Sequence, residues 1–144
     1  MLTSGISAAQ VAELRHTTLR MSRRLRKLAG SGLTPSQLSA LATLERHGVM
    51  PIGELARREQ IGKSSVTRLA ARLEALGHVY RFVDPSDRRV FMVRLTQQGV
   101  TFLAEAGDRQ NSYLARQISS LDPDDQARIL AALPALAKML EVRA

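Results

Sequence analysis

The stretch Arg81-Phe82-Val83-Asp84-Pro85-Ser86-Asp87-Arg88-Arg89-Val90-Phe91-Met92-Val93-Arg94-Leu95-Thr96-Gln97-Gln98-Gly99 decides the reading of this chain. Two β-rich runs, Val79 to Val83 and Val90 to Leu95, flank a polar Asp/Pro/Ser turn, which is the pattern of a hairpin. Arg88 and Arg89 stand at its tip beside Asp87, an acidic neighbour able to orient one of them. Taken alone, such a charged turn reads more readily as a solvated loop.

Directly upstream lies a second pattern. Gly53 to Glu59 reads as a brief helix, Gln60-Ile61-Gly62 as a tight turn, and Lys63 to Leu76 as a longer helix ending at Gly77. Ala56 is small where two crossing helices would touch, and Ile61, Val66, Leu69 and Leu73 supply a buried side. Ser64, Ser65, Thr67, Arg68 and Arg72 fall on the other face. Short hydroxyls near a helix N-terminus allow a phosphate backbone to approach, and the helix end itself favours an anion. Arg68 is placed for a guanine edge or a phosphate, with nothing to choose between them. Arg72, one turn on, is expected on the phosphate backbone. The turn carries Gln60 where glycine is frequent.

A helix-turn-helix followed by an arginine-tipped hairpin is the layout of a winged helix, which touches two DNA grooves at once. Arginine suits a narrow A·T-rich minor groove because its planar guanidinium sheds water readily.

Around this unit the chain reads as helical. Val11, Leu14, Thr18, Met21, Leu25 and Leu28 recur at helical spacing, predicting a helix from Ser7 to about Ala29, ended by Gly30-Ser31-Gly32. Thr34 as N-cap, Pro35 in the first position and Gln37 closing a capping box predict the next helix, which Gly48 terminates. Met50-Pro51-Ile52 reads as an extended link. Thr96 caps a long helix with Val100, Leu103, Ala106, Leu114 and Ile118. Asp122-Pro123 opens a last one, with Asp124 and Asp125 at its positive end and Ile129, Leu130, Leu133, Leu136, Leu140 and Val142 as its apolar stripe. Pro134 lies inside it and should kink or split it. The expected fold is therefore mainly α with a small β-hairpin wing.

Composition narrows the function classes. The 144 residues carry a net charge of +8, and no acidic residue occurs between Glu13 and Glu45 although Arg15, Arg20, Arg23, Arg24, Arg26 and Lys27 do. A second basic set, which includes Arg57, Arg58, Arg81 and Arg94, fills the middle, so contact with a polyanion is expected in the first two thirds. The absence of cysteine removes disulfides, thiol catalysis and Cys-rich zinc sites. His16, His47 and His78 are scattered and read as surface or helix-end residues, so no metal site is expected. The start of the chain, Met1-Leu2-Thr3-Ser4-Gly5-Ile6-Ser7, has no signal-peptide pattern, and no run of about 18 apolar residues could span a membrane. A cytoplasmic location is the expectation.

The residues that carry the hairpin also carry a resemblance. Leu55-Ala56, Ser64-Ser65-Val66-Thr67-Arg68-Leu69, Leu73-Glu74-x-x-Gly77, Arg81, Asp87-Arg88-Arg89 and Leu95-Thr96-x-x-Gly99 resemble the MarR family of bacterial transcription regulators. The resemblance implies a homodimeric winged helix-turn-helix regulator of double-stranded DNA. Residues 34–96 would be the DNA-binding lobe, and 1–33 with 97–144 the helical dimerisation region. Carried over by position, Lys63, Ser64, Ser65, Thr67, Arg68 and Arg72 belong to the recognition helix. Arg89 would enter the minor groove with Asp87 orienting it, and Arg88 would hold a phosphate. A repressor or an activator follows from the resemblance, with repression by a two-fold dimer on a pseudo-palindromic operator as the expectation, and so does release by a small aromatic or anionic effector. Arg15 and Arg20 stand open either to such an anion or to solvent and phosphate. No cofactor is implied, and an oxidant sensor based on an N-terminal cysteine is excluded.

Two rivals belong beside this reading. One is a non-specific architectural or RNA-binding protein using the same basic surface. With two Tyr, three Phe and no Trp, the chain is poor in the stacking platforms that single strands need. The other is an enzyme, for which no nucleophile–base pair, metal spacing or phosphate loop is present.

Overall fold

The computed structural model describes residues 5–30 and 32–141. Met1-Leu2-Thr3-Ser4, Ser31 of the Gly30-Ser31-Gly32 link and the stripe member Val142 lie outside them. The elements are α1 (Ala8–Ala29), α2 (Pro35–His47), β1 (Met50–Pro51), α3 (Ile52–Glu59), α4 (Lys63–Ala75), β2 (Val79–Val83), β3 (Phe91–Leu95), α5 (Gln97–Ser119) and α6 (Pro123–Glu141). Two compact units result, residues 1–107 and 108–144.

Local chemistry sets most boundaries. Ser7 and Thr34 each accept a hydrogen bond from the N3 backbone while Gln10 and Gln37 reach back to the cap N–H, so α1 and α2 begin in full capping boxes. Gly30 closes α1 in the left-handed region at φ 66°. The Asp122 carboxylate accepts from the Asp125 N–H at 2.9 Å and opens α6.

In the first unit one core gathers α2, α3, α4 and the sheet. Leu41, Leu44, Leu55, Val66, Leu73, Val79 and Val93 are fully or almost fully buried there, and Phe102 and Leu103 of α5 pack against them. Ala56, on α3, is buried in this core. The sheet has three antiparallel strands in the order β1-β3-β2. The expected extended link is thus partly a strand, because Met50 pairs with Val93 and Pro51 with Met92. A two-residue run containing proline carries no period of its own. Pro51, which lacks an N–H, is tolerated on the sheet's edge. Ile52, read as link, is already helical. The expected strand start at Val90 moves to Phe91, since Val90 is spent on the hairpin tip, donating to Asp87 O and accepting from Asp84 N–H.

The second unit holds the end of α5 and α6. α6 runs unbroken through Pro134, so the split raised from the sequence does not occur. The proline removes only the N–H that would have reached Leu130, and on a helix with no buried residue water can replace that bond. No described helix is long and apolar enough to cross a membrane.

Candidate nucleic-acid interface

The turn between α3 and α4 is made without glycine at its sharpest point. Gln60 takes the left-handed conformation (φ 55°, ψ 44°), and the N–H groups of Gln60 and Ile61 close on Arg57 and Ala56 carbonyls at 3.2 and 3.0 Å. A side chain in that region costs about 1–2 kcal/mol. The burial of Ile61 against the core accompanies it.

Gly62 then stands at the N-cap of α4 with no side-chain bond. No side chain caps the start of α4, where an open depression is lined by Lys63, Ser64, Thr67 and Arg68. Four residues expected on DNA therefore meet at one place. Arg72 is exposed one turn further on, and Ser65 is half-buried at the edge of this face. The Thr67 hydroxyl donates back to the Lys63 carbonyl at 2.9 Å.

At the hairpin tip Asp87 holds Arg89 by three bonds. Its Oδ1 accepts from the Arg89 backbone N–H and from Nε, both at 3.1 Å, and Oδ2 accepts from Nη2 at 3.4 Å. The Arg89 side chain remains 90% exposed while Asp87 is 41% exposed. The guanidinium and then the backbone N–H of Arg89 draw the Asp87 carboxyl below its ordinary 3.8. Exposed pairs of this kind contribute little stability, so the effect is to aim the arginine. Arg88 points elsewhere, lining a shallow depression with Val83, Asp84 and Pro85.

Two sets of hydrogen bonds tie α4 to its neighbours, one to the base of the wing and one to α5. Glu74, on α4, accepts from the backbone N–H of Arg81 at 2.9 Å and from its Nη2 at 3.0 Å and Nε at 3.3 Å. These bonds lower the Glu74 carboxyl below its ordinary 4.5, the side-chain contact contributing most. Arg81 is thereby structural, as is Arg58, paired with Glu54 at 2.9 Å. Arg94 lies 5.1 Å from the Tyr80 ring centre.

The second set joins Gly77 to Gly99. Thr96 Oγ1 donates to Gly77 O at 2.5 Å and accepts from Gly99 N–H at 3.0 Å, capping α5 and clasping the end of α4 together. Gly77 has φ 85°, and a Cβ at Gly99 would fall 2.2 Å from the His78 carbonyl oxygen. Both glycines of the Glu74-x-x-Gly77 and Leu95-Thr96-x-x-Gly99 patterns have a steric reason. His78 is the helix-end residue expected, but its ring packs on Phe102 at 4.9 Å and its buried Nδ1 has no partner among the described residues. Burial lowers its pKa from 6.5.

These features define a winged helix-turn-helix: α3 and α4 the paired helices, β2 and β3 the wing. A family model for the MarR family matches residues 33–91, from the approach to α2 to the first residue of β3. An HTH-type transcriptional regulator of Mycobacterium tuberculosis is 33% identical over 120 residues, covering 83% of this chain and 84% of that protein. The HTH-type transcriptional repressor MdtR of Bacillus subtilis is 32% identical over 117 residues, 81% of this chain and 76% of its own. A MarR family protein from Bacillus stearothermophilus superposes with a TM-score of 0.80 at 25% identity, covering 96% of this chain and all of that one. The chain belongs to the MarR family of helix-turn-helix transcriptional regulators, a family of regulators and not of enzymes.

Proposed function

We propose that this regulator is a homodimeric repressor that reads a pseudo-palindromic operator in double-stranded DNA. Residues 34–96 act as the DNA-binding lobe, and 1–33 with 97–144 as the dimerisation region. α4 enters the major groove with Lys63, Ser64, Ser65, Thr67 and Arg68 toward the bases and nearby phosphates, and Arg72 rests on the backbone. Arg89 enters the minor groove and Arg88 binds phosphate. A two-fold pair would set its recognition helices roughly 34 Å apart, one turn of DNA.

The observation that carries this reading is the wing tip, where Asp87 holds an almost fully exposed Arg89 in one orientation. Ordering a long arginine in solvent has little value for the fold and considerable value for entering a groove. Dimerisation is supported by exposed apolar side chains on the terminal helices, among them Val11, Leu14 and Met21 on α1 and Leu130, Leu133 and Leu140 on α6. Repression is supported by the relative MdtR, a named repressor. Release by a small aromatic or anionic effector rests on family membership, and requires an effector that favours the DNA-free geometry.

Binding titrations at several salt concentrations test the contacts. Arg89→Ala should weaken binding most on sites with A·T-rich flanks. Arg72→Ala should weaken all duplexes alike and reduce the salt slope by about one. Equal, sequence-independent losses from both would remove Arg89 from groove reading, and equal affinity of the parent protein for selected and random duplex would remove the operator.

A further inference from the structure

Thr67 and Ser64 lie one turn apart on the exposed face of α4, and their hydroxyls are in different chemical states. The Thr67 hydroxyl gives its single proton to the Lys63 carbonyl at 2.9 Å. Among the described residues the Ser64 hydroxyl has no partner, so it can still donate or accept. With the hydroxyl of exposed Thr67 so engaged, its methyl group is what remains for a ligand, and half-buried Ala71 lies one turn further along the same face. The depression that Thr67 forms with Lys63, Ser64 and Arg68 accordingly has a largely apolar wall. On a base-pair edge in the major groove the complementary apolar group is the 5-methyl of thymine.

We infer that Thr67 is a specificity-determining residue that reads a thymine methyl by contact, not a base edge by hydrogen bonding. The inference rests on the placement of α4 in the major groove and adds what the operator must contain: in each half-site, a thymine beside the base or phosphate taken by Arg68. Turning the hydroxyl toward a base would break its bond to Lys63 O, whereas methyl contact leaves that bond in place.

The test starts with selection of binding duplexes from a random library by the full-length protein. Each thymine of the selected site is then replaced by deoxyuridine, which removes only the methyl. Burial of one such group is worth about 0.8 kcal/mol, or roughly four-fold in affinity per half-site. One symmetry-related pair of thymines should therefore cost about fifteen-fold when both are replaced. Thr67→Ser removes the side-chain methyl and should erase this thymine-over-uracil preference. Thr67→Val keeps a methyl, loses the hydroxyl, and should retain the preference. Exposed Thr67 tolerates both substitutions, and helicity by circular dichroism verifies it. Selected sites in which every thymine can be replaced without loss would overturn the inference while leaving the operator reading intact. So would a preference that survives in Thr67→Ser or vanishes in Thr67→Val. Failure to select any consensus would overturn the operator reading, and this inference with it.

Discussion

The winged helix-turn-helix lobe and the last helix treat the same kind of side chain in contrasting ways. In the lobe Leu41, Leu55, Val66, Leu73 and Val93 are all fully buried, and hydrogen bonds of Glu74 and Thr96 join α4 to the wing and to α5. In α6 no residue is buried, and Leu140 is 83% exposed. The lobe is complete within one chain. α6 has the apolar stripe of a helix that needs a second surface, and its chain does not bury that stripe. Stability and assembly are therefore expected to reside in different parts of the molecule, and substitutions can separate them.

The largest effect should come from charging the exposed stripe. Leu133 is 53% and Leu136 40% exposed within one chain, so in Leu133→Asp/Leu136→Asp the unfolding of a single copy should change less than its self-association does. Self-association should weaken by about a thousand-fold, taking roughly 2 kcal/mol for each of two symmetry-related patches. Sedimentation velocity across a concentration series checks this, and unchanged association would place the interface elsewhere.

Next in size is the joint of the lobe. Gly99→Ala puts a Cβ where it meets the His78 carbonyl oxygen, which is backbone and cannot swing aside. A loss of about 3 kcal/mol in urea unfolding is expected. A neutral substitution would show the joint to be plastic, and the lobe less rigid than the contrast with α6 supposes.

A smaller effect is expected from Glu74→Ala, which leaves Arg81 and the β2 backbone N–H without their acceptor. The loss should be about 1 kcal/mol, because the pair is partly solvated. If the pair positions the wing, affinity on A·T-flanked sites should fall further than stability does.

The smallest effect is a pH dependence. Burial holds the folded pKa of His78 below 6.5, so the unfolded chain takes up a proton first. The stability contributed by neutral His78 is present above that value and is lost as pH falls through it toward the lower folded pKa. Thermal unfolding between pH 7.5 and 5.5 should decline by less than about 1.4 kcal/mol per pH unit, the limit for one proton. In His78→Gln this part of the slope should vanish, while the depressed Glu74 and Asp87 carboxyls lose their contributions only below their ordinary values of 4.5 and 3.8.

Much of the site was legible because its signals are local. The Thr34 and Gln37 capping box involves residues three apart, and the Asp87 and Arg89 pair residues two apart, so chain geometry alone brings the partners together. The exposed face of α4 was legible because helical periodicity separates Ser64, Thr67 and Arg68 from Val66, Leu69 and Leu73. Glu74 with Arg81 was visible only as two members of a pattern. Their contact depends on the direction in which the chain leaves Gly77, and no spacing rule supplies that direction. β1 escaped notice because two residues have no period, and Gln60 because its left-handed turn is held by packing that a glycine-seeking rule ignores.

By itself, then, the sequence determined the order of helices and hairpin, the caps, the outward faces and the Asp87–Arg89 wing tip. Each depends on bonds between residues a few positions apart or on a repeating pattern of apolar side chains. Only the tertiary structure decided that Met50 joins the sheet, that Glu74 and Thr96 fasten the wing and α5 to the recognition helix, and that Gly99 must lack a side chain. It also showed which apolar stripes one chain leaves uncovered. These features depend on groups distant in sequence arriving at one place, and their positions follow from packing of the whole core.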